Sequence, residues 1–269
     1  MRPSDFFEYF ALRRHLAAPW TFLRRRKRPG GGPVQEVPLR GGGTLWVRTD
    51  TLDRHILHRI LGRDEYHLDP FRPGELGCVI DAGAHIGIFA IRAAPLASQV
   101  LAFEPDPENF GLLLRNTGRI PNIQATRKAL GPGCAPAQLS RALEPSARST
   151  VPNRARDSNP LSVECIGLEA ILNDRGQERC GLLKLDCEGA EHGILRGAPR
   201  EILARIDRIA LEYHPIAGEP EATGEGLARI LGAAGHRVLL APRARTPGTG
   251  HILSWRAGSR WSAARASVY

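Results

Sequence analysis

The chain has 269 residues, 42% apolar and 24% charged, which suits one large globular domain, or one with a small appendage, around a real core. Its net charge of +9 lies at the ends: residues 1–28 carry eight basic groups against two acidic, and the last fourteen residues carry three against none. The body between them is neutral, which argues against a protein that grips duplex nucleic acid across its domain, and no apolar run reaches the ~18 residues of a transmembrane helix.

In chain order, residues 1–33 read as an aromatic-rich helix, "DFFEYFALRRHL", then a basic run, then a "PGGGP" break. Aromatic residues beside a basic run have two readings: a helix docked on its own domain with a solvated tail, or weak contact with an anionic membrane surface. Residues 34–76 read as a β/α lead-in, with "GGTLWVRTD" extended and "TLDRHILHRILG" helical. Residues 77–256 alternate apolar strands with amphipathic helices: "CVIDA", "IGIFAIRAAPLA", "VLAFE", "PENFGLLLRNTG", "IQATRKAL", then "LLKLD", "GAEHGILRGA", "RIALEYH", "GEGLARILGAAG", "HRVLLA" and "HILSW". This rhythm predicts a doubly wound α/β fold, a mostly parallel sheet covered on both faces, with ligands at the carboxyl ends of its strands. The Pro-, Ser- and Arg-rich stretch 131–162 interrupts it and reads as a mobile insertion near the active site, and 257–269 as a basic tail. Cys78, Cys134, Cys165, Cys180 and Cys187 form no CxxC or Cys/His pattern, and the N-terminus lacks a signal-peptide h-region. Both point to a cytoplasmic protein with reduced thiols.

The turn after the first strand of the alternation, "VIDAGAHIGIFA", carries the first functional signal. A dinucleotide fingerprint needs a bare middle glycine against the pyrophosphate, and His85 stands there. The Walker lysine is absent too. The turn suits a phosphate-free nucleoside such as S-adenosylmethionine. Glu104, 21 residues after Gly83 and at the tip of the next strand, is placed to accept from both ribose hydroxyls, or to cap the helix beginning at 106–109. Asp81 would meet the cofactor's ammonium or cap the following helix.

"VIDAGAHIGIFA", "AFEPDPENFGLLLRN", "LLKLDCEGAEHGILRGA" and "IALEYHP", in this order, closely resemble the FkbM-type family of S-adenosylmethionine-dependent methyltransferases over about residues 77–215. The resemblance implies a class I methyltransferase (Rossmann-like) fold of seven strands with the last antiparallel. It also implies S-adenosyl-L-methionine as cofactor and methyl transfer, typically to a hydroxyl of a sugar, glycan or secondary metabolite. It assigns Asp81, Gly83, Ala84, His85 and Gly87 to the cofactor turn, Phe103, Glu104 and Pro105 to the ribose edge, and Asp186 to the methionine end. His85 departs from the family's more usual Asn.

Methyl transfer to oxygen is an in-line displacement that brings the hydroxyl to roughly 3 Å from the methyl carbon and is helped by a base. Two clusters lie at the correct sheet edge. In "DCEGAE", Glu188 and Glu191 share a helical face, although acidic residues also favour a first turn. In "LEYHP", strand alternation puts Glu212 and His214 on one side. His214 or Glu191 is the expected base, with Glu212 and Glu188 as further candidates and no metal assigned. Rival readings are an RNA methyltransferase using the basic ends as arms, a non-catalytic adenosine-cofactor-binding module of the same fold, and a nucleotide-dependent oxidoreductase.

Overall fold

The computed structural model describes residues 3–24, 34–49, 51–139, 160–174, 178–216, 218–244, 246–259 and 261. The basic run 25–28, the Pro/Gly break after it, the middle of the insertion (140–159) and the tail from 262 lie outside the described residues.

Helices α1 (Pro3–Leu12) and α2 (Pro19–Arg24) come first. They dock on the domain: Leu12, Leu16, Phe22 and Leu23 are buried, and Tyr9 stacks on Trp20 at 4.5 Å. The lead-in is an antiparallel hairpin, β1 (Val34–Pro38) with β2 (Thr44–Arg48), followed by α3 (Asp53–Leu57). Where a single helix was expected, α3 widens into a π turn over His58–Gly62. Gly62 closes that turn, and a Cβ there would lie 2.8 Å from the His58 ring.

The main body runs β3 (Cys78–Ala82), α4 (Ile88–Ala93), β4 (Gln99–Phe103), α5 (Pro107–Thr117), β5 (Ile123–Thr126) and β6 (Ala129–Leu130). The two ends of the insertion are short strands, β7 (Ala137–Leu139) and β8 (Leu161–Val163), which pair antiparallel. Then come β9 (Cys165–Ile166), α6 (Leu168–Asp174), β10 (Leu182–Leu185), α7 (Ala190–Gly197), α8 (Arg200–Leu203), β11 (Arg208–Tyr213), α9 (Gly224–Ala233), β12 (His236–Pro242) and β13 (Gly250–Arg256).

Seven of these strands form one sheet in the order β12-β13-β11-β10-β3-β4-β5. β13 runs antiparallel to both its neighbours, and the other pairs are parallel. This is the class I methyltransferase arrangement. Every residue of β3, β10 and β11 is buried, as a sheet covered on both faces requires. Successive side chains serve opposite cores. Val79, Val100 and Ala102 pack with Phe89, Leu113 and the lead-in's Leu45 and Val47, whereas Ile80, Leu101 and Phe103 pack with Leu172, Ile194 and Leu227. All five cysteines are free thiols, three of them buried. No described helix is long and apolar enough to cross a membrane.

From β3 the chain steps outward through β4 to β5, then crosses to β10 on the other side of β3. The ends are level: Ala82 pairs with Phe103 on one side and Leu185 on the other. The residues that leave these strands, Gly83, Glu104 and Asp186, therefore meet at one edge, the switch point where open α/β sheets bind ligands.

Candidate functional site

A cleft opens at that edge, lined by all three strand-end residues. The turn after β3 is built close to β10. Gly83 has φ +72°, and a Cβ there would sit 2.0 Å from the Asp186 carbonyl oxygen, so glycine is required on two counts. The Gly83 and Ala84 N–H groups donate to the Phe103 carbonyl at 3.0 and 2.9 Å, which ties the turn to β4. His85 follows at φ +53° and Gly87 at φ +89°, immediately before α4.

Glu104 is buried, yet it lines the cleft. One carboxylate oxygen accepts the His85 N–H at 2.8 Å and the other the Asp106 N–H at 3.0 Å. Burial outweighs these bonds and pushes its carboxyl up to about 7. The helix cap belongs to Asp106, whose carboxylate accepts from the Glu108 and Asn109 N–H groups at 3.0 and 2.9 Å, ahead of Pro107 at the first helical position.

His85 lines the cleft, while Asp81 and Phe103 do not. The His85 imidazole does not simply plug a gap: its Nε2 lies 2.9 Å from the Arg48 guanidinium, which also pairs with Asp53 and donates to Asn109 Oδ1 at 2.8 Å. Burial pushes His85 down to about 4, so the ring is neutral, and its buried Nδ1 has no hydrogen-bond partner among the described residues. Asp81 does not line the cleft, and the ammonium it meets is the protein's own: Lys184 Nζ at 3.1 Å, directly opposite on β10. Lys184 also donates to the Ala82 and Gly83 carbonyls at 3.2 and 2.7 Å. The Phe103 side chain belongs to the core, and the backbone carbonyl is its contribution to the turn. Ala84, Pro105 and Asn109 line the cleft, while Gly87 packs behind it on Leu113 and Thr117 of α5.

At the β10 side, Asp186 lines the cleft and accepts from the Tyr66 hydroxyl at 2.9 Å. Glu188, at φ +55°, lines it too. The other expected acid–base residues lie behind this wall. Glu191 is fully buried and accepts the Cys187 and Gly189 N–H groups, each at 2.7 Å, which is the helix-start role its position allowed. His214 sits among carboxylates, with Nδ1 3.4 Å from Glu191 and Nε2 3.3 Å from Glu212 and 3.8 Å from Glu188. Burial opposes a charge there, but the bonds to Glu191 and Glu212 and the nearby negative charges outweigh it and raise His214 to about 11. An imidazolium so held is not a proton acceptor at neutral pH. Glu212 is also buried, but the His214 bond and the guanidiniums of Arg59 and Arg243 keep it well below the usual carboxylate range.

Two groups of side chains offer metal-type donors within 4.8 Å of one another: Glu65, Glu212 and His251, and Asp186, Glu191 and His214. The first is already neutralised by Arg59 and Arg243. In the second, Glu191 accepts two backbone N–H groups, and His214 lies between Glu191 and Glu212, which raise it to about 11.

Arg48, Asp53, Tyr66 and Lys184 were not singled out from the sequence. Lys184 had a signal: a lone charge inside an apolar strand needs a buried partner, and Asp81 on a neighbouring strand is one. Arg48 had little, since beyond Asp53, five residues on, its partners His85 and Asn109 lie 37 and 61 residues away.

The sheet order, the glycine turn and the carboxylate at the second strand tip define a class I methyltransferase. A family model described as the methyltransferase FkbM domain matches residues 81–238, more than half the chain, and the protein belongs to the FkbM methyltransferase family. The 31-O-demethyl-FK506 methyltransferase FkbM of Streptomyces tacrolimicus is 26% identical over 237 residues, covering 74% of this chain and 88% of that protein. Methyltransferase 1 of Beauveria bassiana is 27% identical over 193 residues, covering 62% and 76%. Among solved structures, a methyltransferase FkbM from Methylobacillus flagellatus is 16% identical with a TM-score of 0.45; the match covers 76% of this chain and about half, 54%, of that one.

Fold and family imply S-adenosylmethionine as cofactor, and the cleft fits it. Three acidic side chains (Glu104, Asp186 and Glu188) line the cleft against one ammonium, Lys184, which is paired with Asp81. Such a lining repels a diphosphate and favours a cofactor carrying positive sulfur and nitrogen.

Proposed function

We propose that the protein transfers a methyl group from S-adenosylmethionine to a hydroxyl oxygen of a small molecule, such as a sugar, glycan or secondary metabolite. The observation that carries this reading is the composition of the cleft. Cofactor-type groups and an acidic side chain, Glu188, share it with apolar walls from Ile56, Ile60, Leu130 and Leu139. When bound, the cofactor supplies an electrophilic methyl carbon and leaves as a neutral thioether. The chain's own residues do the rest. Glu104 and the 83–85 turn hold the nucleoside end, and Asp186, oriented by Tyr66, faces the charged end. The apolar walls exclude water, and Glu188 takes the hydroxyl proton as the oxygen–carbon bond forms. The earlier expectation of His214 or Glu191 as base gives way to Glu188, because the former is held protonated and the latter is buried on backbone N–H groups. The Streptomyces relative, whose name specifies an O-demethyl acceptor, supports oxygen as the target.

The test is transfer of labelled methyl from S-adenosylmethionine to fractionated extracts, with mass spectrometry of the product. The expected product is an alkali-stable methyl ether in the small-molecule fraction, absent with Glu104→Ala. With Glu188→Gln, kcat falls by about 10²–10⁴-fold while cofactor affinity is kept. Label in ribonuclease-sensitive material would instead establish RNA as the acceptor and refute the reading.

A further inference from the structure

Among the described residues, the exposed large apolar side chains are Phe6, Phe7, Phe10, Leu52 and Leu114. Three of the five lie on one ten-residue helix, α1, at relative exposures of 47%, 79% and 54%. Their spacing gathers them on one face, since positions 6 and 10 are one turn apart and 7 falls within 100° of both. On the other side Tyr9 stacks on Trp20 and Leu12 is fully buried; Ala11, one turn on from Phe7, packs near Gly62 of the π turn at the edge of the phenylalanine face, and Phe6 and Phe10 meet Trp20 and Tyr9 edge-on at 5.6 and 5.4 Å while staying about half exposed. The phenylalanine face is therefore what remains once the helix has docked, and aromatic groups so grouped mark a contact surface.

The charge beside this face selects the partner. Arg13, Arg14 and Arg24 are all exposed, and the Arg13 guanidinium lies 5.0 Å from the Phe10 ring centroid. Arg14 shares Asp69 with Arg92, and Glu8 is the acidic residue on the described face of α1. The sequence then adds Arg25, Arg26, Lys27 and Arg28, so residues 1–28 carry a surplus of six positive charges. Phenyl rings with Arg13 beside them, in a segment of net positive charge, match the headgroup zone of an anionic bilayer, where the rings enter the acyl boundary and arginines meet lipid phosphates.

We propose that α1 docks the protein on an anionic membrane surface through Phe6, Phe7 and Phe10. The consequence for the enzyme is one of position. α1 packs on the π turn, whose Ile60, with Ile56 of α3, walls the cleft, so docking holds that wall within about one helix diameter of the lipid. The proposal stands independently of the methyl-transfer reading.

The test is co-sedimentation of the full-length protein with phosphatidylcholine vesicles, with or without about a third of phosphatidylglycerol, at about 0.1 M and about 0.5 M salt. Binding is expected with the anionic vesicles at low salt, weaker at high salt, and lower by at least about tenfold in the Phe6→Ser/Phe7→Ser/Phe10→Ser variant. That variant should keep wild-type circular dichroism and calorimetric cofactor binding. Should it misfold, Phe7→Trp retains an aromatic ring and reports by a blue shift of emission on anionic vesicles. Absence of both binding and shift overturns the proposal, as does binding unchanged in the triple variant. A dimer in solution that the triple variant dissociates, with no vesicle binding, would assign the face to self-association and likewise overturn it.

Discussion

With Glu104 as the proposed ribose carboxylate, cofactor binding is expected to depend on pH within the physiological range. Its carboxyl, raised to about 7 by burial, is about nine-tenths protonated at pH 6 and about nine-tenths ionised at pH 8 when the cleft is empty. Ribose hydroxyls donate, so the ionised form is the one that accepts them. Cofactor affinity is then expected to be about tenfold, or about 1.4 kcal/mol, weaker at pH 6 than at pH 8. Binding at pH 6 should release nearly one proton. His85, on the same turn, sits at about 4 and stays neutral throughout this window. Isothermal titration in buffers of different ionisation enthalpy reads both quantities. Glu104→Gln, uncharged at every pH, separates this effect from titration of the ligand's amino group, and its affinity should be low and flatter. An affinity unchanged from pH 6 to pH 8, or an equal slope in the variant, would refute the assignment of Glu104 as the ribose carboxylate.

Further expectations concern the charges behind the cleft. His214 has a folded value of about 11, above its unfolded 6.5, so its ion pairs contribute fully below pH 6.5 and are lost as pH rises toward 11. His214→Gln is accordingly expected to destabilise by about 3–5 kcal/mol at pH 6 and by clearly less at pH 10 in urea titrations. Lys184→Met leaves Asp81 buried and uncompensated, at a similar cost of about 3–5 kcal/mol, and adding Asp81→Leu should restore much of it in a double-mutant cycle. Arg48→Met removes the cation shared by Asp53, His85 and Asn109; it should weaken cofactor binding several-fold and leave kcat at saturation little changed, whereas an equal loss in kcat would place Arg48 in the chemistry.

The strands of the large sheet were legible because each is a short apolar run bounded by turn residues, and the glycine turn because Gly83 and Gly87 do what no side-chain-bearing residue could do there. The cofactor edge followed from strand order, which brings residues 83, 104 and 186 level. Less was legible where geometry is non-local or elements are short. The four-residue α8 and the three-residue β7 and β8 carry too little periodicity to stand out from loops. The π turn alters a helix without altering its apolar pattern. His214 shows the limit for chemistry: a histidine at a strand tip is a natural base until three carboxylates surround it, and two of those come from a different element. The same holds for Asp81, whose partner lies about a hundred residues downstream.

The position of β13 between β11 and β12 bears on how the protein is made. β12 leaves the ribosome before β13, yet it can join the sheet only through β13, so it must wait while β11 presents an open edge. During synthesis the nascent chain therefore carries unpaired strand edges until residues 250–256 emerge and zip both sides at once. A stop codon before residue 250 would remove one strand and orphan another, which makes this late segment the clasp of the sheet.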